Sequence, residues 1–214
     1  LCLLLSTFFL STFCQKTIFY QFTYLSAKKG LSSSYTRKIL QDPLGFMWIA
    51  TQDGLSRFDG VQFTSYIQSS LSKNAISGSD VRDLLLDTLN NVVWALYSYG
   101  GFDAINYKTG EVTFKFQQAK FETTKNVLFN SFCIKDNRLL IASSGGLFSF
   151  DIESKKLNSV NFPSPFSNPS SGLWINKILC DSIGYIWLFC NDDGICIVQN
   201  KSLKLISFLQ KQDL

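Results

Sequence analysis

One stretch of the chain, residues 41–66 (QDPLGFMWIATQDGLSRFDGVQFTSY), returns three more times in altered form. The copies align on a large apolar anchor residue at spacings of 46, 46 and 47 residues; the anchors are Trp48, Trp94, Leu140 and Trp187. Six or seven positions after each anchor comes a glycine: Gly54, Gly101, Gly146 and Gly194. A repeat of this length is typical of propellers and solenoids, so it constrains the fold more than local propensity does. Because aromatic residues at equivalent positions usually pack, we expect the three tryptophan anchors to be buried between sheets.

Each repeat predicts four short antiparallel strands. In the first, Asp42 to Gly45 forms a turn, and the apolar run Phe46 to Thr51 is too short for a helix and rich in strand formers. The same pattern predicts strands at 35–41, 46–51, 55–59 and 62–67; 80–87, 92–97, 102–107 and 111–116; 127–135, 138–143, 147–151 and 157–162; and 173–181, 185–190, 195–199 and 203–208.

A four-stranded sheet with two apolar faces has to stack on neighbouring sheets, and radial stacking of such units gives a β-propeller. We therefore predict an all-β fold of four propeller blades, at 35–67, 80–116, 127–162 and 173–208. Within an N-terminal strand and link at 16–34, residues 20–25 predict a seventeenth strand, whose partner we place beyond residue 214. The chain is thus predicted to be an incomplete propeller whose end blades expose apolar faces.

The first ten residues are an apolar run interrupted only by Ser6 and Thr7, too short to span a bilayer. We interpret residues 1–15 as a signal peptide lacking its start, because neither an initiator Met nor a basic segment precedes the run. A frayed apolar tail is the alternative, and Phe13 before Cys14 disfavours a lipoprotein anchor. The expectation is an exported domain.

Composition excludes several functional classes. The net charge of +4 is spread along the chain without a basic cluster, which predicts no nucleic-acid partner. The chain has no histidine, so it contains no His-based catalytic triad, His-ligated metal or phosphoaccepting His. We expect neither a metal nor another cofactor.

Four cysteines lie outside the leader. Cys133 and Cys180 each precede an anchor by seven residues, so we interpret them as equivalent small apolar residues of an inner strand. Cys190 and Cys196 flank a turn; a four-residue loop would pair residue 190 with 195 and direct Cys196 to the opposite face. We expect buried thiols rather than a disulfide, although an exported location would permit one.

Several segments of the first repeat resemble a known family. They are SSS at 32–34, ILQD at 39–42, GFMWIAT at 45–51 and GLSRFDG at 54–60. Together they resemble the two-component regulator propeller repeat, and the resemblance extends over about residues 20–210, weakening after the first repeat. The third repeat departs most, with Leu140 in place of tryptophan and Asn137 in place of the turn glycine.

The resemblance implies a sensor rather than a catalyst. Such repeats form the periplasmic sensor of hybrid two-component systems in Bacteroidetes-type bacteria, which bind glycan fragments or related ligands and relay binding to a histidine kinase. It implies a periplasmic location, a parent protein anchored in the inner membrane, and a small-molecule ligand of the oligosaccharide class. The implied partners are the remaining propeller blades, the signalling domains of the parent, and a second copy in a dimer formed through the parent. No catalytic residue is expected in this chain.

Two other function classes stay open. A propeller-fold enzyme, such as a lyase or glycosidase, would need clustered acids or a metal on the rim. The rim-like acids are Asp53, Asp103, Asp192 and Asp193, and turn chemistry accounts for them more simply. A protein interaction scaffold would differ from a sensor only in having a protein partner.

In a propeller, the turns between second and third strands and the joins between blades share one rim, which we call the ligand rim. Glycan sites combine aromatic platforms with amide, carboxylate and guanidinium groups. We therefore predict ligand-binding residues in these turns and at the entrances of the inner strands: Gln52, Asp53, Tyr97, Tyr99, Asn191, Asp192, Trp174, Arg37 and Arg82.

Overall fold

The computed structural model describes residues 21–69, 75–99, 101–117, 127–160, 173–191, 194–199 and 204–209, so the predicted signal peptide lies outside the described residues. No helix in this part of the chain is long and apolar enough to cross a membrane. Its strands are β1 (Thr36–Gln41), β2 (Met47–Thr51), β3 (Gly54–Phe58), β4 (Phe63–Tyr66), β5 (Val81–Asp87), β6 (Val92–Tyr97), β7 (Gly101–Asn106), β8 (Val112–Gln117), β9 (Phe129–Lys135), β10 (Arg138–Ser143), β11 (Gly146–Asp151), β12 (Leu157–Val160), β13 (Ile175–Cys180), β14 (Tyr185–Cys190), β15 (Gly194–Gln199) and β16 (Lys204–Leu209).

These strands form four separate antiparallel sheets. Strands β1 to β4 make the first sheet, β5 to β8 the second, β9 to β12 the third and β13 to β16 the fourth, each in sequence order. The prediction of four four-stranded blades is confirmed, because each sheet contains one repeat and pairs each strand with the next.

The predicted strand at residues 20–25 is wrong for the part that is described, since residues 21–25 form no strand. A strand needs a free sheet edge to pair with, and the sequence predicts the partner edge of this segment beyond residue 214. Instead the N-terminal segment forms a short 3-10 turn, Ala27–Lys29. It then lies on the first sheet, where the N–H of Ser32 donates to Ser56 Oγ at 2.9 Å.

An aspartate links the first turn to the anchor in three of the four repeats. In the first repeat, Asp42 Oδ1 accepts hydrogen bonds from the N–H groups of Leu44 and Phe46. The other oxygen accepts the anchor's indole N–H, at 2.7, 3.3 and 3.0 Å in the pairs Trp48–Asp42, Trp94–Asp87 and Trp187–Asp181. In the fourth repeat, the hydrogen bond from Trp187 contributes most to lowering the pKa of Asp181. One carboxylate thus holds both the turn and the anchor in place.

The third repeat replaces this arrangement with a tighter hairpin. Asp136 and Asn137 both have left-handed backbone angles (φ 49° and 59°), as a two-residue type I′ turn requires, and Lys135 pairs directly with Arg138. Leu140 has no N–H to donate, yet it is buried like the first two anchors. The third blade therefore keeps the packing of the others while its first turn is shorter.

Apolar side chains from consecutive sheets form three cores. Each anchor enters the core shared with the following sheet: Trp48 with Leu84 and Val93, Trp94 with Phe132 and Phe150, and Leu140 with Ile178 and Ile186. The innermost strands pack in the same order, β1 on β5, β5 on β9 and β9 on β13.

The fourth anchor, Trp187, is only half-buried, so its predicted burial between sheets is wrong for the described residues. Its face of the sheet also carries Leu179, which is exposed, while Ile39 is exposed on the opposite end face of the first sheet. Within the described residues, no packing comparable to that between consecutive sheets joins the fourth sheet to the first. The four sheets therefore form an open arc with apolar side chains at both ends.

The expected equivalence of Cys133 and Cys180 is wrong, and the two residues form a disulfide between the third and fourth sheets. Because the first hairpin of the third repeat is shorter, Cys133 pairs with the anchor Leu140, whereas Cys180 pairs with Ile186, one position before Trp187. Side chains alternate between faces, so Cys133 is directed toward the fourth sheet and Cys180 back toward the third. Their Cα atoms lie 6.1 Å apart, within the reach of a disulfide.

We expect the double variant Cys133→Ala, Cys180→Ala to unfold at lower denaturant concentration, with a loss of about 2–4 kcal/mol. The bridge closes a loop of sequence separation 47, which restricts the unfolded chain. Chemical denaturation with and without reductant measures this effect. The double variant should be insensitive to reductant; equal midpoints for the oxidised parent chain and the variant would contradict a stabilising bridge.

The expected directions of Cys190 and Cys196 are also wrong. Cys190 pairs with Gly194 rather than with residue 195, and Cys196 pairs with Leu188. Residues 188 and 190 lie on one face of β14, so this register brings both sulfurs to the same face.

Candidate functional site

The ligand rim is built by a backbone hydrogen bond that recurs in all four repeats. The first residue after the second strand donates its N–H to the carbonyl of the residue that precedes the inner strand. The four pairs are Gln52–Tyr35 (3.1 Å), Ser98–Asp80 (3.0 Å), Ser144–Leu128 (2.9 Å) and Asn191–Trp174 (2.9 Å). Each turn between second and third strands therefore lies beside the entrance of its own inner strand, which brings the turn residues and entrance residues together.

Among the described residues, three aromatic side chains are exposed on this rim. Tyr35 is 74% exposed, Tyr99 72% and Trp174 44%. Sequence reasoning proposed Tyr99 and Trp174 but missed Tyr35. The signal was available, because Tyr35 precedes its anchor by thirteen residues, as Trp174 does. Exposed aromatic rings offer flat apolar surfaces to a ligand.

The polar residues predicted on the rim differ in their hydrogen bonds. Gln52 and Asp53 are exposed, and the N–H of Asp53 donates to Thr51 Oγ1 at 3.3 Å, which closes the turn. Asn191 is exposed and its Oδ1 accepts a hydrogen bond from Asn176 Nδ2 at 3.0 Å. Asp192 and Asp193 lie outside the described residues.

Tyr97 does not lie on the rim surface, contrary to the prediction. Its ring is fully buried, and its hydroxyl donates to Asp103 Oδ2 at 2.8 Å. The same oxygen accepts the N–H of Ser77 at 2.7 Å. Burial, and next the neighbouring carboxylate, raises the pKa of Tyr97 well above its ordinary value. The side chain at the last position of the second strand points into the core here, where it shares Asp103 with the backbone of Ser77 in the segment between the first two blades.

Asp103 is likewise a buried strand residue rather than a turn residue, which corrects its interpretation from the sequence. Burial raises its pKa, although the hydrogen bonds from Ser77 and Tyr97 act in the opposite direction. Among the described residues, no group of three or more Cys, Asp or Glu side chains is placed to hold a metal ion.

A β-bulge occurs at the same point of every inner strand, where one residue has no partner on the second strand. The bulged residues are Arg37, Arg82, Asn130 and Asn176. Arg37 is already engaged, because its Nε and Nη2 donate to the two carboxylate oxygens of Asp80 at 2.7 and 3.0 Å. Arg82 is partly exposed, and it forms no hydrogen bond or ion pair with the other described residues.

The residue after each bulge contributes to a polar ring centred on Asp83, whose side chain is 3% exposed. Its carboxylate contacts Lys38 Nζ of the first sheet at 2.5 Å, Ser131 Oγ of the third at 2.8 Å and Lys177 Nζ of the fourth at 3.3 Å. It also accepts the N–H of Leu84 at 2.9 Å. Four blades therefore meet at one buried carboxylate. Sequence reasoning missed this ring because it aligned Arg37 with Arg82 but not the residues that follow them.

No protein-family model matches the chain, and comparison with curated proteins finds no significant relative. Solved structures do match. A crystal structure described as the extracellular domain of a hybrid two-component system, BT3049 of B. thetaiotaomicron, covers 87% of this chain at 23% identity and a TM-score of 0.64. A second, BT4673 of the same organism, covers 79% at 22% identity and a TM-score of 0.62. The fold is that of β-propeller blades.

The propeller fold is also seen in a third match. The WD40 domain of Neurospora crassa Pan2 covers 82% of this chain at 16% identity and a TM-score of 0.58, and the matched part is 50% of that domain. The chain spans 26% and 22% of the lengths of the two extracellular domains. These propeller blades therefore correspond to about a quarter of those larger domains.

Proposed function

We propose that this chain is part of the extracytoplasmic, ligand-sensing propeller of a hybrid two-component sensor. The observation that carries the proposal is the structural likeness to two extracellular domains described as parts of such systems, over 87% and 79% of this chain. The segments of the first repeat that resemble the two-component regulator propeller repeat support the same role. In this proposal the kinase and regulator domains belong to a longer parent protein, and this chain contributes binding rather than catalysis.

The Cys133–Cys180 disulfide supports a periplasmic location. Disulfides persist in oxidising compartments and are rare in the cytosol. An exported domain also agrees with the interpretation of residues 1–15 as a signal peptide.

The proposed ligand is an oligosaccharide bound on the ligand rim. Tyr35, Tyr99 and Trp174 offer three exposed rings, which suit the weakly apolar faces of sugars. In this proposal, the sugar hydroxyl groups are bound by the polar side chains that the sequence predicts for the rim, namely Gln52, Asp53, Asn191, Asp192 and Arg82. Tyr97 and Arg37 are not assigned direct ligand contacts, because Tyr97 is buried and Arg37 is paired with Asp80.

Further blades of the parent are the proposed partners of the two end faces. Three anchors each pack against the following sheet, and Trp187 occupies the equivalent position on a face that also exposes Leu179. A next blade would cover that face as the second, third and fourth blades cover the earlier ones. Dimerisation, in this proposal, occurs through other parts of the parent.

The test is a thermal-shift screen of neutral and acidic oligosaccharides, followed by binding measurements on variants. We expect at least one sugar to raise the melting temperature without being cleaved, and Tyr99→Ala with Trp174→Ala to weaken its binding at least tenfold. Tyr24→Ala is the matched control, because Tyr24 is a similarly exposed aromatic residue in the N-terminal segment rather than in a rim turn. It should bind as the parent chain does.

Two results would contradict the proposal. Cleavage of a sugar by the protein would favour a propeller-fold enzyme. Binding that both rim substitutions leave unchanged would place the site away from the ligand rim.

A further inference from the structure

The two other cysteines of the fourth sheet lie next to each other. Cys190 ends β14 and Cys196 lies near the start of β15, and their sulfur atoms are 3.9 Å apart. In the antiparallel register Cys196 is opposite Leu188, two positions before Cys190, so the cysteines are diagonal neighbours on one face. Aromatic or long side chains usually make such diagonal contacts, whereas here two short thiols meet.

The surroundings of this pair are apolar. Both residues belong to the core between the third and fourth sheets, where Cys190 is 8% exposed and Cys196 is not exposed at all. Of the two, Cys190 lies closer to solvent, because the exposed Asn191 of the ligand rim follows it directly. A reagent from solution would therefore reach Cys190 first.

We propose that Cys190 and Cys196 are a redox-active dithiol that closes into a second disulfide in the folded protein. Bond formation requires the sulfurs to approach from 3.9 Å to about 2 Å, while the pairing of β14 with β15 stays as it is. The proposal concerns these two thiols and does not depend on the proposed ligand.

The reaction is thiol–disulfide exchange with an external disulfide, either a small molecule or an oxidoreductase. The Cys190 thiolate attacks one sulfur of the external disulfide, forms a mixed disulfide and displaces one thiolate, which is protonated to a thiol. The Cys196 thiolate then attacks the Cys190 sulfur and displaces the second thiol. The dithiol loses two electrons and two protons, and one external disulfide is reduced to two thiols.

The bond would join the end of β14 to the start of β15. It would close a short loop that contains Asn191 and Asp192, two of the residues proposed to bind ligand. Under the proposed function, oxidation would therefore restrict one turn of the ligand rim, whereas the Cys133–Cys180 bridge joins two sheets.

The test uses the folded full chain and oxidised glutathione. After incubation the protein is quenched with acid, alkylated under denaturing conditions without reductant, digested and analysed by mass spectrometry. We expect Cys190 and Cys196 to lose alkylation together and to be recovered as an internal disulfide. Because the thiolate is the reactive form, the rate should rise with pH.

Variants separate this bond from alternatives. In Cys196→Ser, Cys190 should accumulate as a mixed disulfide with glutathione, because the second step cannot occur. In Cys133→Ala with Cys180→Ala, the Cys190–Cys196 bond should still form, provided that circular dichroism shows a folded chain. The proposal is overturned if both thiols remain fully alkylatable, if the bond forms only in denaturant, or if either thiol is recovered bonded to Cys133 or Cys180.

Discussion

Replacing Asp83 with alanine is expected to lower the free energy of unfolding by about 3–5 kcal/mol. Its carboxylate is almost completely buried and contacts Lys38, Ser131 and Lys177, which come from the other three sheets. Removal of the carboxylate leaves two partly exposed ammonium groups without their counter-charge, and it leaves the buried Ser131 hydroxyl without its acceptor. Equilibrium denaturation measures the loss.

A second ion pair at the same boundary between the first and second sheets is the matched control. Arg37 and Asp80 form a bidentate pair, but their side chains are 40% and 24% exposed. Pairs near solvent contribute little, so Asp80→Ala should cost no more than about 1 kcal/mol. Equal losses of unfolding free energy for Asp83→Ala and Asp80→Ala would contradict this, because they would show that burial does not make the Asp83 contacts more stabilising than the exposed pair.

Trp94→Ala is expected to destabilise the protein by about 3–5 kcal/mol, because it leaves a large cavity between the second and third sheets. The indole contacts the rings of Phe102, Phe114 and Phe150 at centroid distances of 6.0, 6.3 and 6.4 Å. Edge-to-face contacts of this kind add to the energy of burial. Denaturation of the variant, with circular dichroism as a control for folding, measures the effect.

Two further variants separate packing from hydrogen bonding. Trp94→Phe keeps an aromatic ring but loses the N–H donated to Asp87, so it should cost clearly less than Trp94→Ala. Trp187→Ala should also cost less, because Trp187 is half-buried on a face that no described sheet covers. If Trp187→Ala were as costly as Trp94→Ala, the anchors would act within their own sheets rather than between sheets.

The fold was accessible from the sequence because the signals that define it are local. Short apolar runs around Trp48 and Trp94 predicted the strands, and turn residues such as Gly45 and Gly54 predicted where they end. These patterns recur at a fixed period in all four repeats, so the repeats together predict the fold more strongly than any one of them does. The open arc also followed, because an end sheet has no neighbour for its second apolar face.

The candidate site was accessible only in part. Tyr99 and Trp174 are exposed on the ligand rim as predicted, but Tyr97, two residues from Tyr99, is buried against Asp103. At the end of a strand, the burial of a side chain depends on whether the segment between blades packs over it. Residues close in sequence do not show where that segment will lie. Tyr35 was missed although its spacing from the anchor matches that of Trp174.

The sequence by itself determined the number, order and pairing of the strands, because hydrophobic alternation and turn chemistry act between residues that are close along the chain. The tertiary structure alone decided the contacts between sheets. The Cys133–Cys180 bridge exists because a turn in the third repeat is shorter, which reverses the face of one cysteine relative to the other. The ring around Asp83 exists because four inner strands converge at one level. Such contacts join residues more than forty positions apart, and a shift of one residue in register sends a side chain to the opposite face, so only the packed sheets reveal them.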